Sequence, residues 1–383
     1  MSQGPLNIGI CCYPTFGGSG VIATEVGLGM ARRGHRVHLF AYDRPARLAE
    51  DAHGIHFHRV EVRDYPVFHQ PPYTLALTSR LVDVARHEHL DILHVHYAVP
   101  HATSAFLARA VLGDGAPRIV TTLHGTDITL VGSDPTYKPI TRFSIQQSDA
   151  VTVPSAWLRD ETHRLLDLAG LPIEVIPNFV DVARFSPRRT QPLGDGPVQG
   201  QPLRGLREPA RLVHVSNFRP VKRVPDVVLV FAAILRERPA HLTLIGDGPE
   251  RGRVEALVDT LGLAPHVDFV GELHDVRAHL ADADLFLLPS ASESFGVAAL
   301  EAQAMGVPVI ASRVGGLPEV IEDGVTGRLL PVGDVTAMTT AALELLGDPA
   351  RLLRMRDAAR ERAVGRFEMN AVLDRYEALY RRC

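Results

Sequence analysis

Leu285-Phe-Leu-Leu-Pro-Ser-Ala-Ser-Glu293-Ser-Phe-Gly-Val-Ala-Ala-Leu-Glu301-Ala-Gln-Ala-Met-Gly-Val-Pro-Val-Ile310 decides the fold of this 383-residue chain. A four-residue apolar run is followed by a Pro- and Ser-rich loop, then a helical run of small apolar residues, then a second apolar run after Gly306 and Pro308. That order reads as strand, loop, helix and strand, the unit from which parallel sheets are built. The same texture extends outward on both sides. Leu212 to Val215, His241 to Ile245, Val267 to Val270, Leu285 to Leu288 and Val307 to Ala311 read as strands with helices between them.

The N-terminal half repeats the pattern. Asn7 to Cys12, Val37 to Tyr42, Ile92 to His96, Ile119 to Leu123, Ala150 to Val153 and Glu174 to Ile176 read as strands. Val21 to Arg33, Leu75 to His89, His101 to Leu112 and Ser155 to Leu168 read as helices. Short strands that are apolar on both faces and alternate with helices predict an α/β architecture of doubly wound parallel sheets. Residues 187–209 interrupt it with five prolines and four glycines and no apolar period, which marks a linker or insertion. The predicted organisation is a domain over 1–180, a linker over 181–210 and a second domain over 211–365. A C-terminal amphipathic helix within 366–383 should pack back on the first domain through Val372, Leu373, Tyr376, Leu379 and Tyr380. Ligands of such folds bind beyond the carboxyl ends of the strands, so the interdomain cleft is the expected site.

Composition excludes several classes. Forty basic against 44 acidic residues give a net charge of −4, which draws neither nucleic acid nor anionic lipid. No apolar run is long enough for a membrane span, and the first residues lack the pattern of a secretion signal. Three cysteines, two of them adjacent, form no disulfide framework. The chain reads as cytoplasmic, so any anion it binds must be held locally.

Two stretches offer local anion sites. After the first strand, Tyr13-Pro-Thr-Phe-Gly-Gly-Ser-Gly20 leads into a helix, and Gly17 and Gly18 let an anion approach the free N–H groups of its first turn. Gly18-Ser-Gly20-Val-Ile-Ala23 also matches a dinucleotide fingerprint, with Asp43 where a ribose-binding acid would stand. A nicotinamide oxidoreductase is therefore the runner-up, although Tyr13 to Gly17 make the loop longer than that fingerprint has. In the stretch quoted first, the N–H groups of Ser294, Phe295, Gly296 and Val297 can open a helix toward a diphosphate. Glu293 and Glu301, eight residues and about 10 Å apart along a helix, could grip sugar and ribose hydroxyls at the two ends of one ligand.

This E-x7-E spacing with Ser-Phe-Gly after the first Glu resembles the retaining glycosyltransferases of family 4, which have the GT-B fold of two Rossmann-like domains. Other landmarks agree in order: Gly17-Gly18, Leu123-His-Gly-Thr-Asp127, Pro177-Asn178, Lys222, Gly246-Asp-Gly-Pro249, Gly271-Glu272 and Gly315-Gly316-Leu-Pro-Glu319. The resemblance implies catalytic roles for His124, Lys222, Glu293 and Arg219, the cations stabilising the departing nucleoside diphosphate. Where the family commonly has Arg, five positions before the Lys, this chain has Asn217. Asn217 joins Gly271 and Leu273, near which the base would be read, as donor-binding residues.

Ile10 to Glu25, His94 to His101, Thr122 to Asp127, Ser144 to Asp149 and Val215 to Arg219 are most similar to the members that open bacillithiol biosynthesis. That similarity implies UDP-N-acetylglucosamine as donor, L-malate as acceptor, an α-linked product and no metal. A dicarboxylate calls for a bidentate arginine and fixed hydroxyls. Arg142, read as opening a helix toward the cleft, would supply the first, and Ser19, Tyr97 and Thr122 the second, with Asn178 also assigned to the acceptor. The resemblance further implies a homodimer. A non-catalytic sugar-nucleotide binder and an epimerase acting without acceptor are the other readings. Asp282-Ala-Asp284 reads as capping or a solvated pair rather than a metal site. The histidines His53, His56 and His58, and His94 and His96, lack the partner pattern of metal ligands.

Overall fold

In the computed structural model, residues 4–15, 17–49, 52–62, 72–187 and 209–383 are described. The chain divides into two units, 1–178 with 370–383, and 179–369. The first unit carries β1 (Asn7–Cys11), α1 (Gly18–Arg32), β2 (Arg36–Ala41), β3 (Ile55–Arg59), α2 (Tyr73–Glu88), β4 (Ile92–His96), α3 (Thr103–Leu112), β5 (Arg118–Thr122), α4 (Lys138–Gln146), β6 (Ala150–Val153), α5 (Ala156–Leu166) and β7 (Glu174–Val175). The second carries β8 (Ala210–Val215), α6 (Val224–Glu237), β9 (Ala240–Ile245), α7 (Arg251–Thr260), β10 (Val267–Gly271), α8 (Arg277–Asp282), β11 (Leu285–Leu288), α9 (Val297–Ala304), β12 (Val309–Ser312), α10 (Leu317–Val320), β13 (Gly327–Leu330), α11 (Val335–Gly347) and α12 (Pro349–Phe367). The last helix, α13 (Met369–Arg382), returns to the first unit.

Both sheets are parallel and doubly wound, in the orders β3-β2-β1-β4-β5-β6-β7 and β10-β9-β8-β11-β12-β13. The order reverses between β1 and β4 in one unit and between β8 and β11 in the other. Loops leaving the carboxyl ends of those strand pairs diverge to opposite faces and leave a crevice there. The residues singled out in the sequence follow just these strands: Gly17 and Tyr97 after β1 and β4, Lys222 and Glu293 after β8 and β11.

Strands β3 and β13 were not among those read from sequence. Ile55-His-Phe-His-Arg59 is a half-exposed edge strand whose alternate residues are histidines, and β13 has only four residues. Neither has the buried β-branched run that marks a central strand. The domain limits also move. Val180 and Phe185 lie in the core of the second unit with Phe367, so 179–187 and 366–369 belong to that unit, and only 370–383 join the first. Most of the linker expected over 181–210, residues 188–208, lies outside the described residues.

The terminal helix docks as its pattern predicts. Val372, Leu373, Tyr376, Leu379 and Tyr380 are buried. A Cβ on Gly29 of α1 would come within 2.3 Å of Leu373 Cδ1, so that glycine opens the groove Leu373 fills. Arg33 clamps the helix from outside, with Asp374 at 2.7 Å and Glu377 at 3.2 Å. Among the described residues, no helix is long and apolar enough to cross a membrane.

Candidate functional site

In the second unit, β8 runs out into Ser216-Asn-Phe-Arg-Pro-Val-Lys222, and the last three residues form a single 3-10 turn. The turn is pinned from several sides. His214 donates from Nδ1 to the Leu287 carbonyl (2.8 Å), which leaves Nε2 to accept from the Ser216 hydroxyl (2.7 Å). Burial pushes the His214 imidazole down to about 4, so it stays neutral and keeps this single arrangement. Gly246 and Gly248, both at positive φ, lie against the backbone of Ser216 and Asn217; a Cβ on either would stand 1.7 Å or 2.1 Å from a carbonyl oxygen. The Ala291 amide, which donates to the Val221 carbonyl at 2.8 Å, joins this turn to the loop after β11.

That connection brings Lys222 and Glu293 together. Lys222 Nζ donates to Glu293 Oε1 at 2.5 Å, and the Ser290 hydroxyl donates to the same oxygen at 3.0 Å. The pair is 20% and 11% exposed, enclosed yet open to a ligand. Arg219 is exposed one turn away, and the Asn217 side-chain oxygen is buried without a partner among the described residues. Gly271 ends β10 at positive φ, and its carbonyl accepts from the Gly246 amide at 2.7 Å. Leu273 is half-buried against the core beneath.

The helix after Glu293 starts later than the sequence suggested. α9 begins at Val297 with Gly296 as its cap at φ 97, so Ser294 and Phe295 precede it. Gly296 must be glycine on two grounds: its φ is left-handed, and a Cβ would meet Leu317 Cδ2 at 2.5 Å. Phe295 faces inward, 1% exposed and edge-on to Phe367, so only its backbone is available to a ligand. Glu301 is buried on α9.

The backbone of Glu293 rests on Gly315-Gly316. Gly316 N–H donates to the Glu293 carbonyl at 2.9 Å, and a Cβ on Gly315, whose φ is +56, would stand 1.8 Å from that oxygen. Gly315→Ala should therefore lower stability by about 2–4 kcal/mol and displace Glu293, reducing turnover with it. Thermal unfolding and initial rates check this. A variant with unchanged melting temperature and rate would show that the loop gives way at no cost.

In the first unit, β5 ends at Thr122 and leads to His124. The turn after it is organised by Asp127, which accepts from the amides of His124 (3.0 Å), Gly125 (2.9 Å) and Ala98 (3.3 Å). Burial pushes its carboxyl up to about 6 against the pull of those donors. No local pattern marks this role of Asp127, because its carboxylate accepts from amides that precede it and, at Ala98, from another strand end. His124 lies edge to edge with His96 (ring centroids 5.1 Å, planes 25° apart), its Nε2 2.8 Å from His96 Nδ1, and its ring runs nearly parallel to that of Tyr97 (centroids 5.4 Å). Tyr97, at φ 87, also meets Tyr13 edge-on at 5.2 Å.

Two acceptor assignments, Thr122 and Arg142, read differently on the structure. The Thr122 hydroxyl is buried and shared between His94 Nε2 (2.7 Å) and Thr152 Oγ1 (2.6 Å), so it braces the sheet rather than facing a ligand. Arg142 is the fifth of nine residues in α4, not its opening, because Pro139 sets the first turn. Arg142 is half-buried, and after Lys138 its charge helps hold the Asp167 carboxyl low. Asn178 is buried with its Oδ1 unpartnered among the described residues. Ser19, half-buried, stands in the first turn of α1, whose cap is Gly17 and whose second residue precedes Gly20 packed under the Tyr13 and Thr15 carbonyls. Gly18 is exposed at that start.

The acidic and histidine groups outside these sites have structural tasks. Asp284 accepts from the Arg211 amide at 2.9 Å at the start of β8, rather than capping a helix. His94 spans Tyr380 of α13 and Thr122. Among the described residues, no group of three or more His, Cys, Asp or Glu side chains is arranged to hold a metal ion.

Comparison with known proteins agrees with this fold. Residues 16–184 match the model of the family described as Glycosyltransferase Family 4, and residues 204–362 that of Glycosyl transferases group 1. The chain is 46% identical over 376 residues to the N-acetyl-alpha-D-glucosaminyl L-malate synthase of Bacillus anthracis, covering 98% of this chain and 96% of that protein. It is 30% identical to a GDP-mannose-dependent phosphatidylinositol monomannoside mannosyltransferase of Mycolicibacterium smegmatis, covering 78% and 79%. In fold it is similar to an Anabaena protein in complex with UDP and glucose (TM-score 0.78, 18% identity, 98% and 99% covered). A sucrose-phosphate synthase of Thermosynechococcus elongatus is similar too (TM-score 0.77, 23% identity, 98% of each chain).

Proposed function

This chain belongs to the family 4 and group 1 glycosyltransferases, and from that membership we propose that it moves N-acetylglucosamine from UDP-N-acetylglucosamine to the hydroxyl of L-malate. The observation that carries the reading is the 46% identity to the Bacillus anthracis synthase over nearly the whole of both chains. The crevice residues suit the chemistry. A departing diphosphate gathers negative charge at its bridging oxygen, and fixed cations stabilise that charge more in the transition state than in the bound donor. Lys222 and Arg219 supply those cations, and Glu293, holding Lys222 at 2.5 Å, sets where the ammonium stands.

The transfer we propose proceeds on one face of the sugar. The malate hydroxyl oxygen bonds to the anomeric carbon on the side from which UDP leaves, the bond from that carbon to the β-phosphate oxygen breaks, and the hydroxyl proton passes to a phosphate oxygen. Backbone amides from Ser294 to Val297 face the diphosphate, Glu301 the ribose, and Asn217 with Gly271 and Leu273 the base. His124 orients the sugar, while Arg142, Ser19 and Tyr97 receive the malate carboxylates. The charge is met by side chains and amides, so turnover should persist in chelator.

Mass spectrometry of the purified protein with UDP-N-acetylglucosamine, with and without L-malate and with chelator present, tests all of this at once. A malate-dependent N-acetylglucosaminyl-malate mass with release of UDP is the expected result. Donor conversion without malate would indicate an epimerase instead. Bound donor without any malate adduct would leave the family and reject the acceptor.

A further inference from the structure

Four histidines meet at the ends of β4 and β5, and their hydrogen bonds leave few ways to place the protons. His101 Nδ1 lies 2.5 Å from the His96 carbonyl. A carbonyl only accepts, so His101 carries its proton on Nδ1. His96 Nδ1 and His124 Nε2, 2.8 Å apart, must share one proton, one nitrogen donating and the other accepting. The far side of the His96 ring weighs on the choice between the two arrangements. There Nε2 is buried and has no partner among the described residues.

If His124 donated, His96 would carry its proton on Nε2 and bury an unpaired N–H. If His96 donates, its Nε2 is a bare lone pair. Orphaned buried N–H groups are the rarer and costlier of the two. Burial holds all these rings neutral, His124 down to about 3 and His101 to about 4, so no second proton relaxes the constraint. The His96 and His124 rings lie 25° from coplanar with centroids 5.1 Å apart, the arrangement of an in-plane N–H···N bond, and Tyr97 lies nearly parallel to His124 at 5.4 Å.

We propose that His96 is a positioning residue that donates from Nδ1 to His124 Nε2 and so holds the proton of His124 on Nδ1. The inference deepens the role given to His124 above and rests on that reading for its bearing on catalysis. A His124 fixed in this tautomer carries a proton on its other nitrogen. That nitrogen has no lone pair with which to take the acceptor's proton. The proton of the malate hydroxyl must then leave by the departing phosphate, as the one-face transfer requires.

Two-bond proton–nitrogen correlation spectra of the full chain, labelled with nitrogen-15 in histidine, read the protonated nitrogen directly. The wild type should show His124 protonated on Nδ1. His96→Asn, whose amide occupies the place of Nδ1 and can donate, should retain that tautomer and most of the activity. His96→Leu should lose the tautomer and about tenfold in kcat/KM. A wild-type His124 protonated on Nε2 overturns the proposal, as does a folded His96→Leu with unchanged tautomer. Should the Leu variant fail to fold, the wild-type and Asn spectra decide alone. Undiminished turnover in His124→Ala would instead sink the role of His124 in transfer, a failure the spectra keep separate.

Discussion

Lys222→Ala lowers kcat by about a thousandfold, the loss expected when a fixed charge that stabilises a leaving group is removed. The same substitution also destabilises the unit, because Glu293, 11% exposed, loses the cation at 2.5 Å and keeps only the Ser290 hydroxyl. A carboxylate left enclosed without its partner costs about 3 kcal/mol or more. The two effects separate in a double variant. Lys222→Ala with Glu293→Gln removes the stranded charge, so it should recover most of the melting temperature of the wild type and none of the turnover. Rates within tenfold of wild type in the single variant would remove Lys222 from the mechanism. Recovery of rate in the double variant would show that the single variant failed through folding alone.

Acidification to pH 5 selectively unfolds the first unit. Burial lowers His94 and His124 to about 3, His101 to about 4 and His96 well below its usual value, and all four rings lie in that unit. An unfolded histidine titrates near 6.5, so below that pH the unfolded chain takes up protons that the folded one refuses. The stability due to neutral burial is complete above about pH 6.5 and drains as pH falls toward 3 to 4. At pH 5 the three rings lowered to 3 or 4 have each lost about 2 kcal/mol, on the order of 6 kcal/mol together, and His96 shifts in the same direction. Asp127 works the other way. Its carboxyl, pushed up to about 6, holds a proton in the fold that the unfolded chain does not, and this returns about 1 kcal/mol at pH 5. The remainder is of the order of a domain's whole stability. In the second unit His214, lowered to about 4, is the one histidine whose burial lowers it this far among the described residues. Hydrogen exchange resolved by residue, between pH 7.5 and 5, should show protection collapsing in β1, β4 and β5 while β8 and β11 keep theirs. Equal loss in both units, or none, would contradict the assignment of neutral rings.

What the sequence disclosed followed from how strongly each element is written in local pattern. The central strands are buried on both faces and announce themselves as apolar runs. Ile55–Arg59 and Gly327–Leu330 do not, because pairing to a neighbour, not composition, makes them strands. The residue types for diphosphate chemistry were visible in Lys222 and Glu293, but their contact spans 71 positions and arises only because β8 and β11 are adjacent. Thr122 misled for a related reason: alternation along β5 does not say which face carries the crevice, and its hydroxyl faces His94. His101 and His214 passed unread as functional groups, and His96 was weighed only as a metal ligand. A histidine inside an apolar strand looks like any core residue until its two nitrogens can be paired.

The return of α13 to the first unit bears on how the chain is made. Residues 1–178 emerge from the ribosome first, yet Leu373, which fills the groove at Gly29, and Tyr380, whose hydroxyl meets His94, emerge after all of 179–369. Translation must therefore pass through the whole second unit before the first can close its core. The nascent first unit waits with an open apolar seam, and the contiguous second unit is the one that can finish folding as it is synthesised.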